Sequence, residues 1–349
     1  MRATGGMPNN RGVRLQGPGR WEIAALTAPR PGQGEVLLAV EVCGVCGSDV
    51  HLVDGVTAAR YPVVIGHEAA GVIVAAGPGA DESLVGTRAA VVPYVGCGKC
   101  GLCVEGEAQA CPRRRVLGVD LDGAQAGLLA VPSECAVALP GGVPSEIGAI
   151  LTDAVATPYH AIVRSGVARG QTVVVLGLGG LGLHAVQLLV GVLGCQVIGV
   201  DPRRRAREKA VELGAALTLE PGDGVPRTVR GETGDGADAA FEFVGSPGIV
   251  DAALRCLRPQ GTCVVVGIAP DRLTLGLRQE TLVGRELRLR GSFGATASEV
   301  AALADLVATG RLDLASSVSR GYRIDDFGAA LAETRDKRAG SVRVVVDYR

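Results

Sequence analysis

Short runs of Val, Ala, Ile and Leu, broken by Gly, Pro and Asp, mark the first half of this chain. They fall at Glu35 to Val42, Val63 to Ile65, Gly71 to Val74 and Arg88 to Val92. Runs of that length predict strands of an irregular, mostly antiparallel domain reaching to about residue 150. From Gln171 the rhythm changes. A strand at Val173 to Leu176 leads to a helix from about Gly180, then strand Gln196 to Val200, a charged helix Arg203 to Leu213 and strand Ala216 to Leu219. Strand Ala239 to Val244, helix Pro247 to Leu257 and strand Thr262 to Ile268 continue the alternation. Strand and helix in turn predict a doubly wound parallel sheet, so the fold class is α/β with a mostly-β partner domain. Beyond Arg288 to Phe293 the pattern predicts one helix, about Ser298 to Leu306, then loops and a final strand, Val342 to Asp347. No internal repeat or flexible linker interrupts it.

A length of 349 residues suits two domains better than one core. Lys and Arg number 35 against 36 Asp and Glu, a formal charge of -1, which supplies no field for nucleic acid or an anionic membrane. The stretch Gly170 to Val200 holds no Asp, Glu, Lys or Arg, but its eight glycines with His184, Gln187 and Gln196 divide it into strand, turn, helix and strand. A buried α/β unit accounts for that apolarity better than a membrane span. The opening MRATGGMPNNRGVRLQ lacks the apolar core of a secretory signal, and ten cysteines then imply a reducing, cytoplasmic setting.

Four of those cysteines crowd into fifteen residues, Cys97, Cys100, Cys103 and Cys111 in GCGKCGLCVEGEAQAC. C-x2-C-x2-C-x7-C closes a tetrahedral thiolate shell and reads as structural zinc with no open position for chemistry. Disulfides suit small secreted chains, and iron-sulfur clusters favour other spacings. The second motif is VVVLGLGGLG. Gly177, Gly179 and Gly182 form G-x-G-x-x-G between a strand and a helix, and Asp201 ends the next strand nineteen residues beyond Gly182. Strand, helix and acid together make a dinucleotide fingerprint: a tight turn, a close approach to pyrophosphate, and a helix packed near its strand. Asp201 favours NAD by binding ribose hydroxyls, whereas Arg203 to Arg205 just beyond it could hold the 2′-phosphate of NADP. Upstream, VCGVCGSDVH and VIGHEAAG bring Cys46, Ser48, Asp49, His51, His67 and Glu68 into two short stretches. A thiolate and an imidazole suggest a second zinc. Cys43 and Cys46 also form a C-x-x-C, although the βαβ setting of a redox pair is absent.

The order GVCGSDVH, GHEAAG, the four-cysteine lobe and GLGGLG with its acid resembles the zinc-dependent medium-chain alcohol dehydrogenases over nearly the whole chain. The resemblance implies a GroES-like, mostly-β catalytic domain at residues 1–154, with a structural zinc lobe at 94–113. A Rossmann domain follows at 155–292, and 293–349 return to the catalytic domain, with the active site in the cleft. It implies two zinc ions per chain, one on the four-cysteine lobe and one on Cys46, His67 and a third ligand. Most relatives have cysteine at that third position. Here LTDAVATPYHAI offers Asp153, which would match the thiolate charge and bind zinc at about 2.0–2.2 Å. Two rivals stand beside it: Asp153 as the cap of a helix starting near Ala154, and Glu68 as the ligand.

By the same resemblance Asp49 orients His67, and Ser48 passes the alcohol proton through the cofactor ribose to His51. Thr157, Val244 and Val266, Gly267 and Ile268 flank the nicotinamide. Gly180 and Leu181 line the phosphate turn, and Arg343 lies near the pyrophosphate, where Gly47 replaces an arginine of some relatives. The expected reaction is NAD-dependent oxidation of a secondary or primary alcohol to a ketone or aldehyde. A zinc-free enoyl or quinone reductase and a non-catalytic nucleotide-binding protein are the alternatives. Only ten residues are aromatic, and Pro93 replaces a pocket-narrowing aromatic, so bulky or cyclic alcohols are expected to fit. The DAVATPYHA stretch resembles that of alicyclic hydroxyacyl-CoA dehydrogenases, with Arg113 to Arg115 as candidates for a CoA phosphate. A homo-oligomer, tetramer before dimer, is expected through the strand near Glu286 to Ser292.

Overall fold

A computed structural model describes residues 10–336 and 340–349, so the first nine residues of the stretch read for an export signal lie outside it. The chain divides into two compact units. One runs up to Ala156 and resumes at Ala295, and the other is Thr157–Gly294.

The second unit is a six-stranded, wholly parallel sheet. Its strands lie in the order Leu217–Leu219, Gln196–Val200, Thr172–Leu176, Ala237–Glu242, Leu257–Val265 and Arg288–Gly291. Sequence order therefore reverses beside Thr172–Leu176, which is the switch point where doubly wound sheets bind ligands at the carboxyl ends of their strands. Val173, Val174, Val175 and Leu176 are all buried, as a strand covered by helices on both faces requires. Val174, Leu176, Ile198, Ala240 and Cys263 share one core with Val250 and Leu254 of the helix Pro247–Cys256. That helix starts on Pro247, whose missing N–H costs nothing in a first turn. The helix Val225–Thr233, a 3.6-residue stripe too short to mark itself against its charges, was not expected from the pattern.

The first unit is the mostly-β part. Its main sheet runs Ala136–Ala138, Arg88–Val91, Ala69–Ala76, Glu35–Val45, Arg343–Asp347 and Val318–Arg323, with Leu128–Pro132 also pairing to Glu35–Val45. All these pairs are antiparallel except the last, Val318–Arg323 against Arg343–Asp347. The final strand thus inserts between elements from opposite ends of the chain. A smaller sheet pairs Arg11–Gly17 with Arg20–Ala25 and Val63–Val64. The chain re-enters this unit through the helix Ala297–Ala308, fastened by a capping box. Thr296 Oγ1 accepts the Glu299 N–H at 3.2 Å and Glu299 accepts the Thr296 N–H at 2.9 Å. The loops expected after that helix are in fact a strand, Val318–Arg323, and a helix, Phe327–Arg335. Phe327 is fully buried with its ring edge-on to Trp21 at 5.2 Å, so tertiary packing defines a helix that local pattern leaves faint.

One acid in the sheet has a pH signature. Glu242, fully buried at the end of its strand, accepts the N–H groups of Val244 and Gly245 at 2.7 Å each. Burial outweighs those donors and raises its pKa. A carboxyl whose folded pKa lies above its unfolded value stabilises fully at low pH, and that contribution is lost as pH rises through the folded value. Glu242→Gln keeps an acceptor for both N–H groups without the charge. Its melting temperature should therefore fall less than that of the parent between about pH 4.5, near the unfolded glutamate value, and pH 8. Parallel melting curves across that range would show that Glu242 ionises without penalty.

Candidate functional site

Two ligand clusters lie in the first unit. Cys46 caps the helix Gly47–Val53, and its N–H donates to Asp49 Oδ2 at 2.8 Å. Asp49 Oδ1 lies 3.5 Å from His67 Nδ1, which fixes the ring so that Nε2 faces the cluster. His67 and Glu68 follow Gly66, whose φ of 98° is open to glycine and whose missing side chain leaves room for Cys43 Sγ and Gln125. Glu68 in turn lies over Gly44, where any Cβ would collide with its Oε2.

Asp153 arrives from a different element. An uninterrupted helical run covers Ser145–Ile150, a π-turn at Leu151–Val155, and Ala156–Ser165. The cap reading of Asp153 is overturned by this: no helix begins at Ala154, and Asp153 stands in the middle of the wide turn. Single π-turns inside helices recur at functional sites because they re-aim side chains. Here Asp153 Oδ2 lies 3.5 Å from Cys46 Sγ and 3.7 Å from His67 Nε2. Cys46, His67, Glu68 and Asp153 offer ligand atoms all within 4.8 Å of one another.

Arg343, expected beside a pyrophosphate, is turned inward. Its Nη2 is 3.0 Å from Glu68 Oε1, and the two side chains are 6% and 0% exposed. Burial drives the Glu68 pKa well above the carboxylate range despite Arg343. For Cys46 burial pushes upward, but Arg343 and His67 prevail over it and over Asp153, so the thiol is lowered. Burial pulls His67 down, yet Asp49, Asp153 and Cys46 together hold it well above an ordinary histidine. A pocket that gathers a thiolate, an imidazole and carboxylates beside one arginine is the chemistry of a divalent-cation site, where His67 would bind as the neutral imidazole. The donor set S, N and O fits zinc. Ser48 and His51 are exposed on the same short helix, with Ser48 Oγ 3.7 Å from Cys46 Sγ. Tyr94, a neighbour that sequence reasoning passed over for Pro93, is buried close enough to Asp153 that burial and that charge both raise its pKa.

The second cluster is the cysteine lobe. Sγ atoms of Cys97 and Cys103 are 4.0 Å apart, Cys100 and Cys103 3.5 Å, and Cys100 and Cys111 3.7 Å. All four thiols are free, and these spacings are far from the roughly 2.05 Å of a disulfide. Four sulfurs at about 2.3 Å from one tetrahedral zinc would lie near 3.8 Å from each other, so the lobe fits that ion. Cys97 is held down to about 5 by Arg113, whose Nη2 donates to its sulfur at 3.1 Å.

In the second unit the three glycines of the turn divide their work. Gly177 has φ 93°, and a Cβ there would press on Val244. At Gly182 a Cβ would strike the Gly177 carbonyl oxygen, whereas at Gly179 nothing lies within 4 Å. The helix Gly180–Gln187 starts here, with Gly180 and Leu181 in its first turn. Asp201 binds back to this turn, accepting the Leu178 N–H at 2.8 Å. Arg203 grips the same carboxylate through Nε at 2.9 Å and Nη2 at 2.8 Å, a fork that the sequence placed only as a rival for phosphate. Burial raises the Asp201 pKa, but the arginine and the backbone donors overcome it and the acid is lowered. Gly267 backs onto Gly245, and Val244 and Ile268 are exposed at 52% and 74% while Val266 and Thr157 are buried.

Comparison with known proteins agrees with both units. The family model for an alcohol dehydrogenase GroES-like domain matches residues 32–141, and that for a zinc-binding dehydrogenase matches 180–309. A Mycobacterium tuberculosis protein named as a probable zinc-binding alcohol dehydrogenase is 32% identical over 95% of this chain and 87% of its own length. The L-threonine 3-dehydrogenase of Pyrococcus horikoshii is 29% identical, covering 92% and 94%. Among solved structures, the Escherichia coli alcohol dehydrogenase RspB complexed with NADH aligns at TM-score 0.90 and 27% identity over 97% and 99% of the two chains. A zinc-binding dehydrogenase from Sinorhizobium meliloti bound to NADP aligns at 0.88 and 32%, with the same coverage. The chain belongs to the zinc-type medium-chain dehydrogenase family of oxidoreductases. Among the described residues no helix is long and apolar enough to cross a membrane.

The glycine geometry separates folding from binding. Gly182→Ala should destabilise the nucleotide unit by about 1–3 kcal/mol, the usual range for overpacking, and lower the melting temperature. Gly179→Ala should melt like the parent but raise the KM for the nucleotide, since its new methyl occupies open space where pyrophosphate approaches. Equal melting losses in the two variants would remove the distinction.

Proposed function

We propose that this chain is a zinc-dependent alcohol dehydrogenase using NAD, which oxidises a secondary or primary alcohol to the ketone or aldehyde. The observation that carries the reading is the Asp153 carboxylate between Cys46 Sγ and His67 Nε2, delivered by a π-turn to complete three protein donors. Cys46, His67 and Asp153 would hold the catalytic zinc, with a fourth position left for the alcohol oxygen. Zinc held there supplies Lewis acidity that lowers the pKa of the alcohol hydroxyl.

The residues do the rest. Asp49 keeps His67 in one tautomer and orientation by its Nδ1 contact. Arg343, 3.0 Å from Glu68 Oε1, holds the Glu68 side chain in place beside the ligand set. Ser48 takes the hydroxyl proton, and His51, one helical turn on and open to solvent, carries it away. The start of the helix Gly180–Gln187 in the Thr157–Gly294 unit would hold the phosphates of a nicotinamide cofactor, which would supply the hydride acceptor. The zinc-free reductase reading lacks any use for Cys46 and His67. The low aromatic content of the chain, with proline at position 93, favours a bulky or cyclic alcohol, although Tyr94 borders the site. The threonine dehydrogenase relatives add amino-bearing alcohols to the panel worth assaying by NADH absorbance.

Asp153→Ala should lower kcat by about 1000-fold or more and remove one zinc equivalent of two, while the four-cysteine zinc and nucleotide binding persist. Asp153→Cys should restore the zinc and part of the rate. Full zinc and near-parental kcat in Asp153→Ala would transfer the third ligand position to Glu68.

NAD is the preferred cofactor because Asp201 stays ionised at the ribose. Asp201→Ala frees Arg203 from its fork and should raise the NADP to NAD ratio of kcat/KM by about tenfold, the equivalent of about 1.4 kcal/mol. A parent enzyme already better with NADP would show that Arg203 outweighs the acid.

A further inference from the structure

Arg113 makes two contacts with the cysteine lobe that no ligand spacing predicts. Its guanidinium Nη2 donates to Cys97 Sγ at 3.1 Å, and its backbone N–H donates to Cys111 Sγ at 3.3 Å. Cys97 and Cys111 are the first and last thiols of the motif, so one residue bridges the two ends of the loop that the metal closes. The lobe has a charge deficit for it to meet. Four thiolates around a divalent ion leave a net charge of about -2, and between Cys97 and Cys111 the chain adds Glu105 and Glu107 against a single Lys99. The four ligands are also unequal. Cys111 is fully buried, while Cys97, Cys100 and Cys103 are half-buried, and it is Cys97 among these three that receives the guanidinium.

We propose that Arg113 is the positioning residue of the four-cysteine metal site, locking Cys97 in place and slowing release of the ion. This rests on the reading of the lobe as a metal site. The guanidinium contributes positive charge beside a half-buried sulfur and a directional N–H bond that fixes its side-chain torsion, as outer partners of metal ligands commonly do. Arg113 is thereby committed to the lobe and withdrawn from the arginine triplet considered for a CoA phosphate.

The test uses the full-length enzyme loaded with cobalt(II) in place of zinc. A four-thiolate cobalt centre gives intense visible and sulfur-to-metal charge-transfer bands that a site with one cysteine cannot match, so the lobe is followed separately from Cys46. After addition of excess EDTA, decay of those bands should be about tenfold or more faster in Arg113→Gln than in the parent, within the range that loss of an outer partner usually costs. The charge-transfer band should shift as the sulfur loses its N–H donor. Arg113→Lys, which keeps charge but not the planar fork, should decay at an intermediate rate. Equal decay and an unshifted band in Arg113→Gln would overturn the proposal while leaving the metal site standing. Parental protein without four-thiolate bands would overturn the metal reading itself. If Arg113→Gln does not accumulate folded, Arg113→Lys decides: decay at the parental rate overturns the role.

Discussion

Everything around the candidate site depends on a charge balance struck without water. Glu68 and Arg343 lie 3.0 Å apart at 0% and 6% exposure, beside Cys46, His67, Asp49 and Asp153. Removing one partner of such a buried pair typically costs about 3–5 kcal/mol, because the survivor is left charged in a poor solvent. Each of these groups is held by backbone geometry that no free side chain could improvise: the glycine under Glu68, the left-handed glycine before His67, the helix cap at Cys46 and the π-turn at Asp153. Cys46, His67 and Asp153 gather donor atoms there that a divalent cation would satisfy, and in that sense the pocket is built as the incomplete half of a complex.

The cysteine lobe solves the opposite problem. It sits near the surface, its sulfurs partly in reach of solvent, and it relies on a closed ligand shell rather than burial for definition. Zinc would thus be suited by two donor arrangements, a buried pocket of mixed donors and a four-sulfur set partly open to solvent.

Much of this was legible in the sequence because it was local. The parallel strands announce themselves as apolar runs with both faces buried, the glycine turn and the cysteine spacing each lie within a few residues of their partners, and the acid closes the next strand of the same unit. What escaped depends on distance along the chain. Val318–Arg323 reads as polar and exposed, because an edge strand covers little core. Phe327–Arg335 is a helix only against Trp21, about three hundred residues earlier. The sequence offers Asp153 as a ligand by resemblance, yet keeps a helix cap as its rival because an acid before Ala and Val is a common helix start. The helix instead passes straight through it, and π-turns have no sequence signature of their own. Arg343 could be aligned with a pyrophosphate by resemblance alone, whereas its burial against Glu68 needs the strand register of Val344 with Val45 and Val345 with Gly44 to be known.

That last strand carries a consequence for how the molecule is made. The Thr157–Gly294 unit is continuous and its contacts close as it leaves the ribosome. The other unit must wait with its central sheet unfilled until Arg343–Asp347 slots between Glu35–Val45 and Val318–Arg323. Chain closure over some three hundred residues is slow, and the open edge of Glu35–Val45 is exposed to other strands in the meantime. Since the inserting strand also delivers Arg343 to Glu68, the candidate pocket reaches its final electrostatics only after residue 343 has been made. A nascent chain that has not yet reached residue 343 can already complete the Thr157–Gly294 unit, while Glu68 still lacks its arginine partner.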